Sequence, residues 1–134
     1  ASSVNDLDTK IRNGDLGFIA PEFPAVLHGD VAGIVTGIGK NVTRFRKGDK
    51  VLGFIGGIKG YSGALSDFIT ADEGFFAIAP DAISFAELGS LPLVGITAYE
   101  AIIERGNVEK DQTVLVYGAT GGVGHHRQLR RIPI

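Results

Sequence analysis

The sequence predicts two parts in succession, a β-barrel or sandwich followed from about Ser84 by the start of an α/β unit. Three observations predict it. Short β-branched runs separated by Gly, Asp and Asn turns fill the first two-thirds, the pattern of small all-β folds. Helix-start signals appear at Ser84 and Pro92. The continuous apolar run "TVLVYG" then leads directly into "GATGGVG", as a parallel strand covered on both faces would lead into a glycine-rich turn.

Each element follows from local chemistry. "ASSVNDLDTKIRNG" reads as the end of a strand, then a helix from about Asn5 to Arg12, stopped by Gly14. After an irregular stretch holding Pro21 and Pro24, "DVAGIVTGI" predicts a strand from Asp30 to Ile38, with Gly33 and Gly37 expected at a bulge or a close backbone approach. Turns are expected at Gly39–Asn41 and Lys47–Asp49, and "KVLGFI" as the strand after them. "GALSDFITADEGFFAIAP" predicts two more short strands, broken at Asp72–Gly74. Ser84 and Glu87 have capping-box spacing. "LPLVGITAYEAIIERGN" predicts a second helix that ends at Gly106, with Leu93, Ile96, Tyr99 or Glu100, and Ile103 on a mostly apolar face.

Composition narrows the function classes. The 134 residues are 44% hydrophobic and 21% charged, which is enough for one globular domain with a core. A net charge of −2 gives no general reason to expect nucleic acid or an anionic membrane as partner. No apolar run nears the ~18 residues of a membrane span. There is no cysteine, so disulfides and thiolate-ligated zinc are excluded, and a cytoplasmic location is expected. There is no methionine either, even at position 1, so the natural chain is expected to begin upstream of Ala1.

One motif carries chemistry. In Gly118, Ala119, Thr120, Gly121, Gly122, Val123 and Gly124, glycine at 121 would allow a sharp turn and close approach of backbone to a pyrophosphate. Gly124 would let the following helix pack closely, and that helix's N-terminus attracts an anion. Ala119 stands where the commoner G-x-G-x-x-G pattern has its first glycine. Other patterns fail. "GIVTGIGKN" lacks the spacing and the Ser or Thr of a phosphate loop, and "GYSGA" lacks the spacing of a nucleophile elbow. His125 and His126 are adjacent, so they cannot both face one metal from a helix. His28 reads as a hydrogen-bonded structural histidine or, less directly, the lining of a ligand cleft. Asp30 and Asp49 read as strand-end and turn residues.

The stretches "SVNDLDTKIRNG", "LHGDVAGIVTGIGKNVTRFRKGDKVLG", "GALSDFITAD", "LPLVGITAYEAI" and "VLVYGATGGVG" together resemble the medium-chain dehydrogenase/reductases, in the zinc-independent quinone oxidoreductase branch. The resemblance implies a GroES-like β-barrel domain at 1–90 lacking its first strands. It implies the first helix, strand and glycine loop of a truncated Rossmann domain at 91–134. Zinc alcohol dehydrogenases have a cysteine where this chain has Asn5, a histidine at Gly29 and a cysteine near Leu93, so no zinc is expected. Asn5 and Thr97 match positions facing the nicotinamide end of the cofactor, with residues 118–124 on its pyrophosphate. Tyr61 matches a loop on the substrate side, although it can equally be a packed surface aromatic.

The resemblance therefore implies hydride transfer from NADP(H), expected ahead of NAD(H), to a small quinone or conjugated enone. The intact protein would be a homodimer, with neither nucleic acid nor membrane as partner. Two alternatives stand beside it: a non-catalytic GroES-like binding or assembly module, and an enoyl-thioester reductase of the same fold. After Gly124 the family continues with an apolar helix, whereas "HHRQLRRIPI" has no apolar stripe and carries Pro133. The tail is thus expected to be a truncation, and the 134 residues alone to be inactive.

Overall fold

The computed structural model describes residues 1–129, which fall into two compact units, Ala1–Pro92 and Leu93 onward. The first unit is built on an antiparallel three-stranded sheet in the order β1 (Asp30–Ile34), β2 (Lys50–Phe54), β3 (Phe76–Ile78). Ala32 lies opposite Leu52 across β1 and β2, and Leu52 opposite Ala77 across β2 and β3. On the other edge of β1, Ala1 donates to Ala32 O at 2.7 Å and accepts from Ala32 N at 2.9 Å; the strand end expected there is reduced to this one pair, since residues 1–5 form no strand.

Helix α1 (Asp6–Asn13) follows. Asn5 is its N-cap and Gly14, at φ +88°, its left-handed C-cap, the conformation that favours glycine. Gly48, at φ +98°, makes the turn before β2. Helix α2 (Phe85–Leu88) starts on the expected box: Glu87 N donates to Ser84 Oγ, and Ser84 N to the Glu87 carboxylate at 3.0 Å.

Several expectations are corrected. The described strands form an open three-stranded sheet, in keeping with a barrel that lacks its first strands, whereas other details differ. Strand β1 ends at Ile34 rather than Ile38; only Val35 continues the ladder, bonding Asp49 O and Gly48 N. Gly33 and Gly37 are neither bulge nor close approach, since a Cβ at either would meet open space. The first strand expected in "GALSDFIT" does not form. Residues 63–65 bond to the carbonyls of Val26, Leu27 and His28, then Ser66 N turns back onto Ala64 O and bends the chain. The break at Asp72–Gly74 is real: Asp72 Oδ1 accepts from Gly74 N at 2.7 Å and caps a 3₁₀ turn, Glu73–Phe75.

Alternation along β1 sends successive side chains to opposite faces of the sheet. Val31 packs with Ile55 and Ala64 in one cluster; Ala32 packs with Ala79 and Leu88 in another. Leu88 is wholly buried, so α2 is what closes the second cluster. Two polar clamps tie loops to this frame. Lys50 Nζ donates to the carbonyls of Pro80, Asp81 and Ile83 and lies 4.9 Å from the Phe85 ring centre. The Glu73 carboxylate accepts from the Thr43 and Arg44 backbone N–H groups.

The second unit holds the body of α3 (Pro92–Tyr99), a π-helical turn at Glu100–Glu104, and α4 (Gly122–Leu129). Gly106 ends the π turn, because a Cβ there would lie 2.8 Å from the Ala101 and Ile102 carbonyl oxygens. The expected apolar stripe is corrected: Ala98 is buried, whereas Ile96 and Tyr99 are exposed. The helix is apolar nearly all round, so spacing could not choose its inner face. The strand expected at "TVLVYG" does not form either. Leu115 is 93% and Tyr117 100% exposed, because a parallel strand takes its ladder and its cover from neighbours, and no strand pairs with it among the described residues. A helix does follow the glycine loop despite the missing apolar stripe. The side chains of His126 and Arg127, and all of residues 130–134, lie outside the described residues.

Two outcomes follow for the first unit. Leu88→Ala should lower its stability by about 2–5 kcal/mol, the range for emptying a filled aliphatic site, read as a shift of the urea midpoint. Ser84 holds the Glu87 carboxyl below its usual range by hydrogen bonding the charged form. That contribution is present at neutral pH and is lost as pH falls through the lowered value. Wild type should therefore lose helix content on acidification more steeply than Glu87→Gln, by circular dichroism.

Candidate functional site

At the N-terminus of α1, Asn5 donates to three side chains, the longest of the bonds running from Nδ2 to Ser3 Oγ at 3.4 Å. Its backbone N–H donates to Asp8 Oδ2 at 2.7 Å, and its side-chain Nδ2 to Asp30 Oδ2 at 2.8 Å. Asp30 Oδ2 also accepts from Ser3 Oγ at 2.6 Å. Both carboxyl groups are buried, Asp30 completely and Asp8 to 5% exposure, while Asn5 is half-buried. The sequence reading treated Asp30 as an ordinary strand end. It does open β1, but its side chain is the hub of a buried polar cluster, and no local signal reveals this because its partners lie 25 and 27 residues away.

Beside this cluster, Gly29 has no room for a side chain: a Cβ would fall 2.1 Å from Phe54 Cε2. His28 next to it has φ +69° and is held through its backbone, accepting from Ala64 N at 2.8 Å. Gly57 packs directly on that backbone, 2.7 Å from His28 N for a built Cβ. The expectation of a hydrogen-bonded imidazole is corrected at Nδ1, which is buried and makes no hydrogen bond.

Tyr61 is a packed surface aromatic that also borders a cleft. Its ring packs edge-on against Phe75, with centroids 5.6 Å apart, yet the residue is half-exposed and lines a cleft of about 410 Å³ with Pro21, Pro24, Val26 and Ile58. A larger cavity of about 810 Å³, which sequence reasoning missed, lies between residues 33–39 and 64–71.

In the second unit, Thr97 is exposed and its hydroxyl donates to the Leu93 carbonyl at 2.7 Å. That leaves its oxygen as an acceptor. In the glycine loop the sharp turn falls at Gly118, φ +74°, rather than at Gly121 as expected. Gly121 N then closes on Gly118 O at 3.1 Å, and His125 N on Gly121 O at 2.8 Å, which starts α4. Gly124 is buried, and a Cβ on it would lie 2.2 Å from Gly118 O. At Gly121 the nearest atom is 3.5 Å away, so its surroundings are open. The first N–H groups of α4 have no upstream carbonyl to bond, which suits them to an anion. Among the described residues no group of three or more His, Asp or Glu could hold a metal, and no helix is long and apolar enough to cross a membrane.

Comparison with known proteins places these features in a family context. Residues 1–81 match the alcohol dehydrogenase GroES-like domain. A curated spinach (Spinacia oleracea) protein named "Quinone-oxidoreductase homolog, chloroplastic" is 36% identical over 132 residues, covering 94% of this chain and 40% of its own length. An alcohol dehydrogenase superfamily protein from Novosphingobium aromaticivorans superposes with a TM-score of 0.90 at 41% identity, over 94% of this chain and 38% of that one. The Escherichia coli quinone oxidoreductase solved with NADPH gives 0.76 at 32% identity, over 92% and 36%. The chain thus spans about 40% of the length of the curated relative.

The glycine geometry has a direct test. Gly124→Ala should cost about 1–3 kcal/mol, as overpacking against backbone does, whereas Gly121→Ala should stay within about 0.5 kcal/mol of wild type. Thermal melts of the two variants would check the contrast.

Proposed function

Since the chain belongs to the alcohol dehydrogenase GroES-like domain family, we propose that it serves an NAD(P)H-dependent oxidoreductase that transfers hydride to quinones or conjugated enones without zinc. The observation that carries this reading is the loop at 118–124. A left-handed Gly118 and a Gly124 with no room for a Cβ present the open backbone of Gly121 and the first turn of α4 together, the chemistry that accepts a pyrophosphate.

The bound cofactor would supply hydride to the quinone or enone, with the matching proton coming from water. This chain's part is positioning. Gly118, Ala119, Thr120, Gly121, Gly122, Val123 and Gly124 would hold the pyrophosphate, Asn5 and Thr97 would orient the nicotinamide, and Tyr61 would line the substrate side. NADP(H) is proposed ahead of NAD(H). A homodimeric intact protein and a cytoplasmic setting belong to the same proposal.

Zinc does not fit. The positions that would ligate it hold Asn5, Gly29 and Leu93, and a side chain at 29 would have to displace the Phe54 ring. For the 134 residues alone, a second reading as a binding module without turnover is favoured by Leu115 and Tyr117, which lie exposed.

Kinetics separate the roles. In the full-length protein, Gly121→Val should mainly raise the cofactor KM by blocking approach to the pyrophosphate, while Asn5→Ala should mainly lower kcat. Strong chelators should leave the rate unchanged; activity lost on metal removal and restored by zinc would overturn the zinc-free reading. The isolated 134 residues should bind NADPH weakly and with marked salt dependence, since surface charge contacts are screened. Micromolar affinity by calorimetry at physiological salt would contradict this.

A further inference from the structure

Asn5 and Asp8 cap α1 as a reciprocal box, the Asn5 side chain taking the Asp8 N–H and the Asp8 carboxylate accepting from the Asn5 N–H at 2.7 Å. Asp30 is not one of the two residues of that box; it accepts from the Asn5 side-chain amide at 2.8 Å. Burying a carboxylate costs several kcal/mol unless hydrogen bonds compensate it. This carboxylate is fully buried and spends one oxygen on both the Asn5 amide and the Ser3 hydroxyl. What the arrangement fixes is the direction in which the Asn5 amide points. With Nδ2 turned to Asp30, Oδ1 is left as the acceptor of the amide; beyond the Asp8 N–H of the box it has a second lone pair, and an acceptor is what the N–H of a carboxamide requires.

We propose that Asp30 is a positioning residue for hydride transfer: braced by Ser3, its buried carboxylate locks the Asn5 amide in the orientation that meets the carboxamide of a nicotinamide ring. The proposal rests on the reading above, in which Asn5 lies at the nicotinamide end. Asn5 Nδ2 donates both to Asp30 Oδ2 and, at 3.4 Å, to the Ser3 hydroxyl that itself donates to Asp30, so the amide is oriented before any ligand arrives. Supporting hydrogen bonds of this kind keep a contacting group within the narrow limits that rate depends on.

The test uses the full-length protein with NADPH and a benzoquinone. Asp30→Asn keeps the shape and removes the charge-assisted bond, and it should lower kcat about tenfold, as loss of orientation does, with the NADPH KM within about twofold of wild type. Placed on Asn5→Ala, the same change should have no further effect on kcat, since Asp30 acts through Asn5. Ser3→Ala, which leaves the carboxylate in place, should lower kcat about threefold with the same dependence on Asn5; it carries the kinetic test if Asp30→Asn fails to fold. Independently of turnover, the Asn5 side-chain amide pair in ¹⁵N NMR should shift on NADPH addition in wild type, and this response should be lost in Asp30→Asn.

An active wild type whose kcat Asp30→Asn leaves unchanged would overturn the inference alone. So would an equal loss in the Asn5→Ala background, which would mark Asp30 as merely structural. A wild type that neither oxidises NADPH nor shows the Asn5 shift would overturn the underlying reading, and the inference with it.

Discussion

The buried carboxylate of Asp30 ties the amino end of this chain to its sheet. It opens β1 and accepts from Ser3 and Asn5, while two residues further along, Ala1 and Ala32 exchange two backbone hydrogen bonds. The segment before α1 is thereby fastened along the edge of β1 at both ends. Hydrogen bonds to a charged group contribute about 1.5–3 kcal/mol each, which offsets the cost of removing the carboxylate from water.

The two faces of β1 explain why so small a sheet suffices. Val31 and Ala32 start separate clusters on opposite sides, one closed by Ile55 and Ala64, the other by Leu88 of α2. The loops between strands are fixed by charge as well as by apolar burial, of which Phe45 against Phe76 is an example. Lys50 gathers three carbonyls of the turn before α2, and Glu73 gathers two amide N–H groups of the turn before β2. Close backbone approach at Gly57, against His28, completes the frame around the polar cluster.

The candidate cofactor loop obeys a different constraint. Its shape is set by contacts within the loop: Gly118 turns, Gly121 returns to its carbonyl, and Gly124 lies against Gly118 and Ala119. Such a loop can form without the sheet that normally presents it. The run before it cannot, because a buried parallel strand owes its burial to neighbouring strands and to helices on both faces. That difference separates the formed helix α4 from the exposed Leu115 and Tyr117.

The sequence by itself determined whatever acts over a few residues. The start and stop of α1 at Asn5 and Gly14, the turn at Gly48, the break at Asp72–Gly74 and the Ser84–Glu87 box were all legible, since donor and acceptor are neighbours in the chain. The glycine loop was legible as a motif, but the left-handed turn belongs to Gly118 rather than Gly121. Only the tertiary structure decided that Asp30 is a buried hub rather than a strand end, that Phe54 closes the space over Gly29, and that Ala98 rather than Ile96 faces inward. Those outcomes depend on partners more than twenty residues apart, or on which of several apolar faces finds a neighbour. Periodicity and spacing carry no record of either.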